Sequence, residues 1–367
     1  MRGLLILSQL LLGLLAIRPQ AAEPRNRNVI LVTVDGLRWQ EVFRGAEEFL
    51  LNATNGGVTD VDRLRAAFWR ATPEERRTAL LPFFWGTIAR QGQLYGNTNR
   101  GSRALVTNGR NFTYPGFNEI FTGFADDRIQ SNAQRDNPNV TVFEWLHRKP
   151  AFAGRVAAFA NWDTHFFIFN ARRSGIPTWT GYTNTLAFPA GSRLAFLDEL
   201  HQDITPVWAG MDFDVFYIHA LIEYLKESQP RLAWLGLSEP DEWAHEGRYD
   251  HYLQSAHRMD RYLSKLWATV QSLPEYRDRT TLIVTADHGR GAGPSEWRNH
   301  GAAVEGAELI WIAALGPDTP ALGERSDTAP VFQNQIAATI ASLLGEDYRA
   351  TEPRAGAPLP DVFGKAP

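Results

Sequence analysis

Three strand-like apolar runs each lead into an acidic residue or an acid–histidine pair, and this limits most sharply what the chain can fold into. Residues 29–34 end in Asp35-Gly36. Residues 232–237 are followed by Asp241-Glu-Trp-Ala-His245, and residues 281–285 by Asp287-His288-Gly289. In an open α/β sheet, ligands bind in the crevice outside the carboxyl ends of the strands. Carboxylates and imidazoles gathered there fit one metal site, and therefore an enzyme that uses metal-assisted chemistry.

The rest of the chain is consistent with that frame. Strands are expected at residues 155–159, 231–237, 280–285 and 308–314. Helices are expected at 80–91, from Pro115 to Gly123, and at 140–147, 213–225, 249–273 and 334–344. The 249–273 segment carries Tyr252, Leu253, Ala256, Met259, Leu263 and Leu266 at helical spacing. Strands alternating with helices predict a three-layer α/β/α fold with a mostly parallel central sheet. Residues 38–79 read as mixed and irregular, with a turn at 55–57, and residues 161–215 show little periodicity. Both are candidate cap-type insertions. In the second, Trp162, Phe166, Phe167 and Trp179 fit either a substrate-facing lid or ordinary core.

Composition narrows the class. The chain has 367 residues, 44% of them apolar, which is ample for a globular core. A net charge of −4 provides no basic field for a nucleic-acid polymer. There is no cysteine, so any metal is held by Asp, Glu, His and hydroxyl groups. Arg2, the apolar stretch 4–17 and the small residues Ala21 and Ala22 read as a signal peptide over residues 1–22, with an uncleaved anchor as the competing reading. The expected product is residues 23–367, exported to the periplasm or secreted. No stable membrane insertion is expected, since no later run reaches the ~18 apolar residues of a spanning helix.

Taken singly, each motif has a plain explanation. Asp241 and His245, four apart, face one side of a helix and suit a shared metal or a surface pair. Asp35-Gly36 is ordinary turn chemistry. His300 lies past a Gly- and Pro-containing loop. Thr113 precedes a Pro that can open a helix, so it is either an N-cap or a hydroxyl held where free N–H groups favour anions. Together, three Asp, three His and a helix-start Thr make two metal sites with a nucleophile between them. Two metals about 4 Å apart suit in-line displacement at phosphorus.

The segments Val32-Thr-Val-Asp35-Gly36, Thr113-Tyr-Pro-Gly-Phe-Asn-Glu-Ile-Phe-Thr122-Gly123, Glu239-Pro-Asp241-Glu-Trp-Ala-His245, Thr285-Ala-Asp287-His288-Gly289 and Asn299-His300-Gly301 occur in this order. In them the chain resembles the alkaline phosphatase superfamily, most closely its type I phosphodiesterase/nucleotide pyrophosphatase branch. The resemblance implies that Asp241, His245 and His300 hold one divalent metal. Asp35, Asp287 and His288 hold the other, with Thr113 as ligand and nucleophile. It also implies an Asn that binds a phosphoryl oxygen, for which Asn132 is the candidate and Asn137 the fallback. Zinc is the expected metal, with manganese or iron as alternatives. The expected activity is hydrolysis of a small phosphate ester, diester or monoester, through a phospho-threonine. Arg110, close to Thr113, is either an added positive charge for a monoester or a solvated loop residue.

The chain departs from the branch at Gly116-Phe117, where Asn-His is usual, and over residues 38–79. No Cys-x-Pro-x-Arg sulfatase motif exists. The competing readings are a sulfate-ester or phosphonate hydrolase or phosphomutase on the same scaffold, and a non-catalytic periplasmic binding protein.

Overall fold

The computed structural model describes residues 26–362, so the expected signal peptide lies outside the described residues. Its frame is a nine-stranded sheet. In chain order the strands are β1 (Asn28–Val34), β2 (Gln93–Tyr95), β3 (Val156–Ala160), β4 (Thr178–Thr180), β5 (Thr183–Asn184), β6 (Leu232–Leu237), β7 (Thr280–Thr285), β8 (Ile312–Leu315) and β9 (Gly323–Glu324). Across the sheet they lie in the order β9-β2-β8-β7-β1-β6-β3-β4-β5. From β7 through β4 every neighbouring pair is parallel. β8 runs antiparallel beside β7, and β5 closes the far edge antiparallel to β4. This is the mostly parallel α/β sheet expected from the sequence.

Helices cover both faces, as side-chain contacts demonstrate. Trp234 of β6 meets Phe117 and Phe121 of the Thr113–Thr122 helix at ring-centroid distances of 5.6 and 4.9 Å. The next residue, Leu235, pairs with Phe159 of β3, and Phe159 meets Tyr224 of the Asp214–Ser228 helix at 5.4 Å. Successive residues of a strand face opposite sides, so the two helices lie on opposite faces. Every residue of β1, β3, β6 and β7 is buried, as two-sided cover requires.

Several expected elements change shape. The single helix at 80–91 is instead a break and a restart. The Pro73–Leu80 helix ends, Leu81 is non-helical, and helical structure resumes at Pro82 with a π-turn over Phe84–Ile88. Proline disfavours helix at the residue before it, and Asp260 accepts the Phe83 and Phe84 N–H groups at 2.8 and 2.7 Å from another helix. Residues 38–79 are not irregular but contain the Trp39–Arg44, Val61–Phe68 and Pro73–Leu80 helices. In the 161–215 stretch, a helix spans Arg193–Asp203, and it buries only Leu194 and His201, too little to leave a periodic signal. Trp179 there is core, ringed by Phe188, His201 and Tyr217. The strand expected at 308–314 is split by Trp311. Leu309–Ile310 joins a small sheet with Ala104–Leu105 and Val331–Phe332, and β8 joins the main one. Among the described residues, no helix is long and apolar enough to cross a membrane.

Trp234 is fully buried beneath the Thr113–Thr122 helix and also stacks on Phe169. Trp234→Ala is expected to destabilise the fold by about 3–5 kcal/mol, measured as a lowered urea midpoint at unchanged slope.

Candidate metal centre

β1 lies between β7 and β6, and register carries their carboxyl ends to one level. Thr33 pairs with Thr285 and Val34 with Leu237, so Asp35 and Asp287 emerge side by side. The Asp35 N–H still donates to the Leu237 carbonyl at 2.8 Å, extending the ladder to the first acid. β6 runs through Ser238 into the Glu239–His245 helix, which opens with a Pro in its first turn. One helical turn there brings His245 Nε2 to 3.1 Å from Asp241 Oδ2.

The expected ligands form two adjoining clusters. His245 Nε2 lies 3.1 Å from His300 Nε2. His288 Nε2 lies 3.2 Å from Asp35 Oδ1 and 3.6 Å from Asp287 Oδ2. The His288 and His300 rings stack at 3.9 Å, joining the clusters. The donor atoms of Asp35, Asp287 and His288 lie within 4.8 Å of one another, as do those of Asp241, His288 and His300. His245 is 43% exposed, at the mouth of the centre.

Backbone carbonyls fix which imidazole nitrogen faces inward. His288 Nδ1 is 3.0 Å from the Gly289 carbonyl, and His300 Nδ1 is 3.1 Å from the Asn111 carbonyl. A carbonyl only accepts, so each Nδ1 carries the proton and each Nε2 turns a lone pair toward the clusters, the metal-binding form. Asn111 reaches this position at φ +53°, a left-handed conformation that Asn tolerates. Asn108 holds it there by accepting the Arg110 and Asn111 N–H groups at 2.8 and 3.1 Å. Glu119 in turn accepts from Thr107 Oγ1 at 2.7 Å and Asn108 Nδ2 at 2.8 Å.

The electrostatics call for a cation. Burial, reinforced by mutual repulsion among the acids, pushes the Asp35 and Asp287 carboxyls well above the usual range. Burial pushes Asp241 the same way, but the Arg290 guanidinium and the hydrogen bond with His245 outweigh it and hold that carboxyl well below. Burial lowers His300 to about 2, so it stays neutral. Asp35 Oδ1, Asp287 Oδ2 and His288 Nε2 are buried with no hydrogen-bond partner among the described residues. Orphaned acceptors that face one another fit divalent ions, and an oxygen–nitrogen donor set accommodates zinc, manganese or iron.

Thr113 is the first residue of its helix rather than the cap. Phe112 holds the cap position and makes no side-chain capping bond. The helix start is wedged against both clusters. Two residues before Thr113, Asn111 bonds His300. Three residues after it, Gly116 lies so close to the end of β7 that a Cβ would overlap the Asp287 carbonyl oxygen. This contact explains the departure at Gly116, while Phe117 belongs to the core under Trp234. Asn132 is exposed, and its Oδ1 accepts the N–H of Tyr114, the residue after Thr113, at 2.9 Å. Asn137 is fully buried and gives its Nδ2 to Asn118 Oδ1 and the Ile168 carbonyl, a structural use. Arg110 is half-buried in the loop before Thr113. Sequence reasoning missed Asn111 and Arg290. An Asn two residues before Thr113 carries no spacing signal, and the partner of Arg290 is 49 positions away.

Burial raises the Glu119 carboxyl to about 7, above an ordinary value of 4.5. A raised carboxyl binds its proton more tightly in the folded state. The native protein therefore loses stability as pH rises from the unfolded value through the folded one. Relative to Glu119→Gln, the wild-type chain is expected to lose about 2–3 kcal/mol between pH 4 and pH 8. Urea titrations of both proteins across that range check this, and a constant difference would refute it.

The family model described as type I phosphodiesterase / nucleotide pyrophosphatase matches residues 29–307. Curated protein sequences include no match. Among solved structures, the phosphonate monoester hydrolase SpPMH from Silicibacter pomeroyi is similar, at 15% identity over 93% of this chain and 78% of that one, with a TM-score of 0.56. The lipoteichoic acid synthase LtaP from Listeria monocytogenes is similar at 13% identity, over 94% and 76%, with a TM-score of 0.56. A protein in the alkaline phosphatase superfamily from Vibrio parahaemolyticus is similar at 13% identity, over 90% and 69%, with a TM-score of 0.50. At these identities the likeness is one of fold. With the family match over most of its length, the chain belongs to the type I phosphodiesterase / nucleotide pyrophosphatase family.

Proposed function

We propose that this chain hydrolyses phosphate esters of small molecules, with Thr113 as nucleophile, and that it works as an exported protein. One observation carries the reading. Thr113 opens a helix whose approach bonds His300 and whose first turn rests on Asp287, which supports a hydroxyl set against both clusters, one of them lined by orphaned ligand atoms. Asp241, His245 and His300 would hold one divalent ion. Asp35, Asp287, His288 and Thr113 would hold the other, zinc being the expected metal. Such ions supply a lowered pKa for a bound hydroxyl and stabilisation of the attacking and leaving oxygens.

The chain's own groups do the rest. Thr113 Oγ1 forms a bond to phosphorus as the ester oxygen departs in line, and the hydroxyl proton ends on the departing alcohol. Water then attacks the phospho-threonine, releasing phosphate and restoring Thr113. Asn132 Nδ2 and the Thr113 N–H at the helix start bind the equatorial oxygens, where charge builds. Burial of Thr113 keeps competing solvent from the nucleophile. Support for export comes from the charged-then-apolar residues 2–17 and the small pair Ala21-Ala22.

The test is metal analysis of the purified chain with an activity panel. The substrates are p-nitrophenyl phosphate, bis-p-nitrophenyl phosphate, the p-nitrophenyl ester of thymidine monophosphate, and the aryl phosphonate and sulfate. Two ions per chain and a preferred phosphate ester are expected. A preference for sulfate or phosphonate would overturn the substrate class. Thr113→Ala is expected to lower turnover about a thousandfold or more with metal content near wild type, and retained turnover would reassign the nucleophile. His300→Ala should lose one ion, and unchanged stoichiometry would remove it from the ligand set.

A further inference from the structure

Arg290 follows directly on Asp287-His288-Gly289 and is 1% exposed. A buried guanidinium requires acceptors for its fixed fork of donors. Nε donates to the Trp297 carbonyl at 3.0 Å, Nη2 to the Arg298 carbonyl, and Nη1 to Asp241 Oδ1. The two carbonyls belong to the turn that leads through Asn299 into His300. The carboxylate belongs to the helix that ends in His245. One planar group thus joins the two segments that deliver Asp241, His245 and His300. Gly36, at φ +60°, closes the remaining side: a Cβ there would overlap Asp241 Oδ1 and lie 2.9 Å from Arg290 Nη1.

The contact gives the two oxygens of Asp241 different duties. Oδ1, held by Arg290, is the oxygen on the side of the neighbouring cluster, 3.9 Å from His288 Nε2. Oδ2 is the oxygen 3.1 Å from His245 Nε2. A carboxylate between two metal positions has the option of bridging them. A guanidinium on Oδ1 removes that option.

We propose that Arg290 is a positioning residue of the centre: it holds Asp241 by Oδ1, so that Oδ2 alone is offered on the His245–His300 side, and it fixes the separation of Asp241 from His300. This rests on the two-ion reading above. A bare charge in the same place would act differently. Lysine keeps the charge, but a single ammonium nitrogen does not reproduce the fork that spans three acceptors.

Ion binding to the purified chain, followed by elemental analysis and by zinc titration against a chromogenic chelator, tests this. Wild type is expected to bind two ions. Arg290→Gln and Arg290→Lys should keep one and bind the other about 10–100-fold more weakly. Equal affinity for both ions in Arg290→Gln, or full rescue by Arg290→Lys, would overturn the proposal. Because replacing a buried arginine can unfold the chain, a crystal structure of the zinc-loaded wild type provides an arm free of variants. Asp241 bound through Oδ2 with Arg290 still on Oδ1 is expected. Oδ1 on an ion with Arg290 detached would overturn the proposal. Wild type without ions would sink the two-ion reading itself, whereas two ions with unaffected variants would sink only this inference.

Discussion

Three buried carboxylates at the ends of neighbouring strands are the constraint on which the rest of this structure depends. Removing a carboxylate from water costs several kcal/mol per ion even after relaxation, and Asp35, Asp241 and Asp287 are taken out of water together. The fold neutralises only one of them itself, through Arg290 on Asp241. Asp35 and Asp287 keep raised pKa values and orphaned oxygens. Acids buried in this way fit a centre completed by cations, and the sheet order brings them together. With β1 in the middle, two crossovers bring the other two acids alongside Asp35.

The layer of groups behind the ligands is mostly backbone. The Gly289 and Asn111 carbonyls set the tautomers of His288 and His300, and the Gly36 and Gly116 positions admit no side chain. The helix that carries Thr113 is therefore located from two directions. Trp234 packs beneath it at Phe117 and Phe121, and Gly116 rests on the end of β7. Core packing thereby sets the position of the proposed nucleophile, because a shift of this helix moves Thr113 and the Asn111 carbonyl together.

Those relations explain what the sequence did and did not reveal. The central strands β1, β3, β6 and β7 were legible because two-sided burial leaves near-continuous apolar runs, whereas the short outer strands β2, β4, β5 and β9 were not. Asp241 and His245 were legible as a pair because helical periodicity is local. Asp35, Asp287 and His288 were legible as strand-end candidates, but their joining with His300 was recognisable only through their order along the chain, since their meeting depends on a sheet register that no short window records. Asn111 and Arg290 left no trace. One acts through its carbonyl, which every residue possesses, and the other through a partner on a different element. The break at Leu81 is half legible: Pro82 announces it, whereas Asp260, which caps the new start, sits in the helix Tyr249–Ser272. The Arg193–Asp203 helix was hidden because its burial is slight.

The two segments set apart as candidate insertions contribute none of the expected ligands, yet both brace the ones that matter. From the first, the Asn55 carbonyl accepts Trp297 Nε1 at 3.0 Å and Arg298 Nη2 at 2.9 Å, gripping the turn that carries His300. From the second, Trp208 packs edge-on against Trp243 at 4.8 Å, on the helix between Asp241 and His245. Arg290 joins those same two pieces from within. The half of the centre built from Asp241, His245 and His300 thus hangs on a helix and a turn steadied by outlying segments. The half built from Asp35, Asp287 and His288 grows directly from the central strands. The first half is the adaptable one: variation in either insertion reaches the cluster of Asp241, His245 and His300 while leaving the strand-borne acids in place.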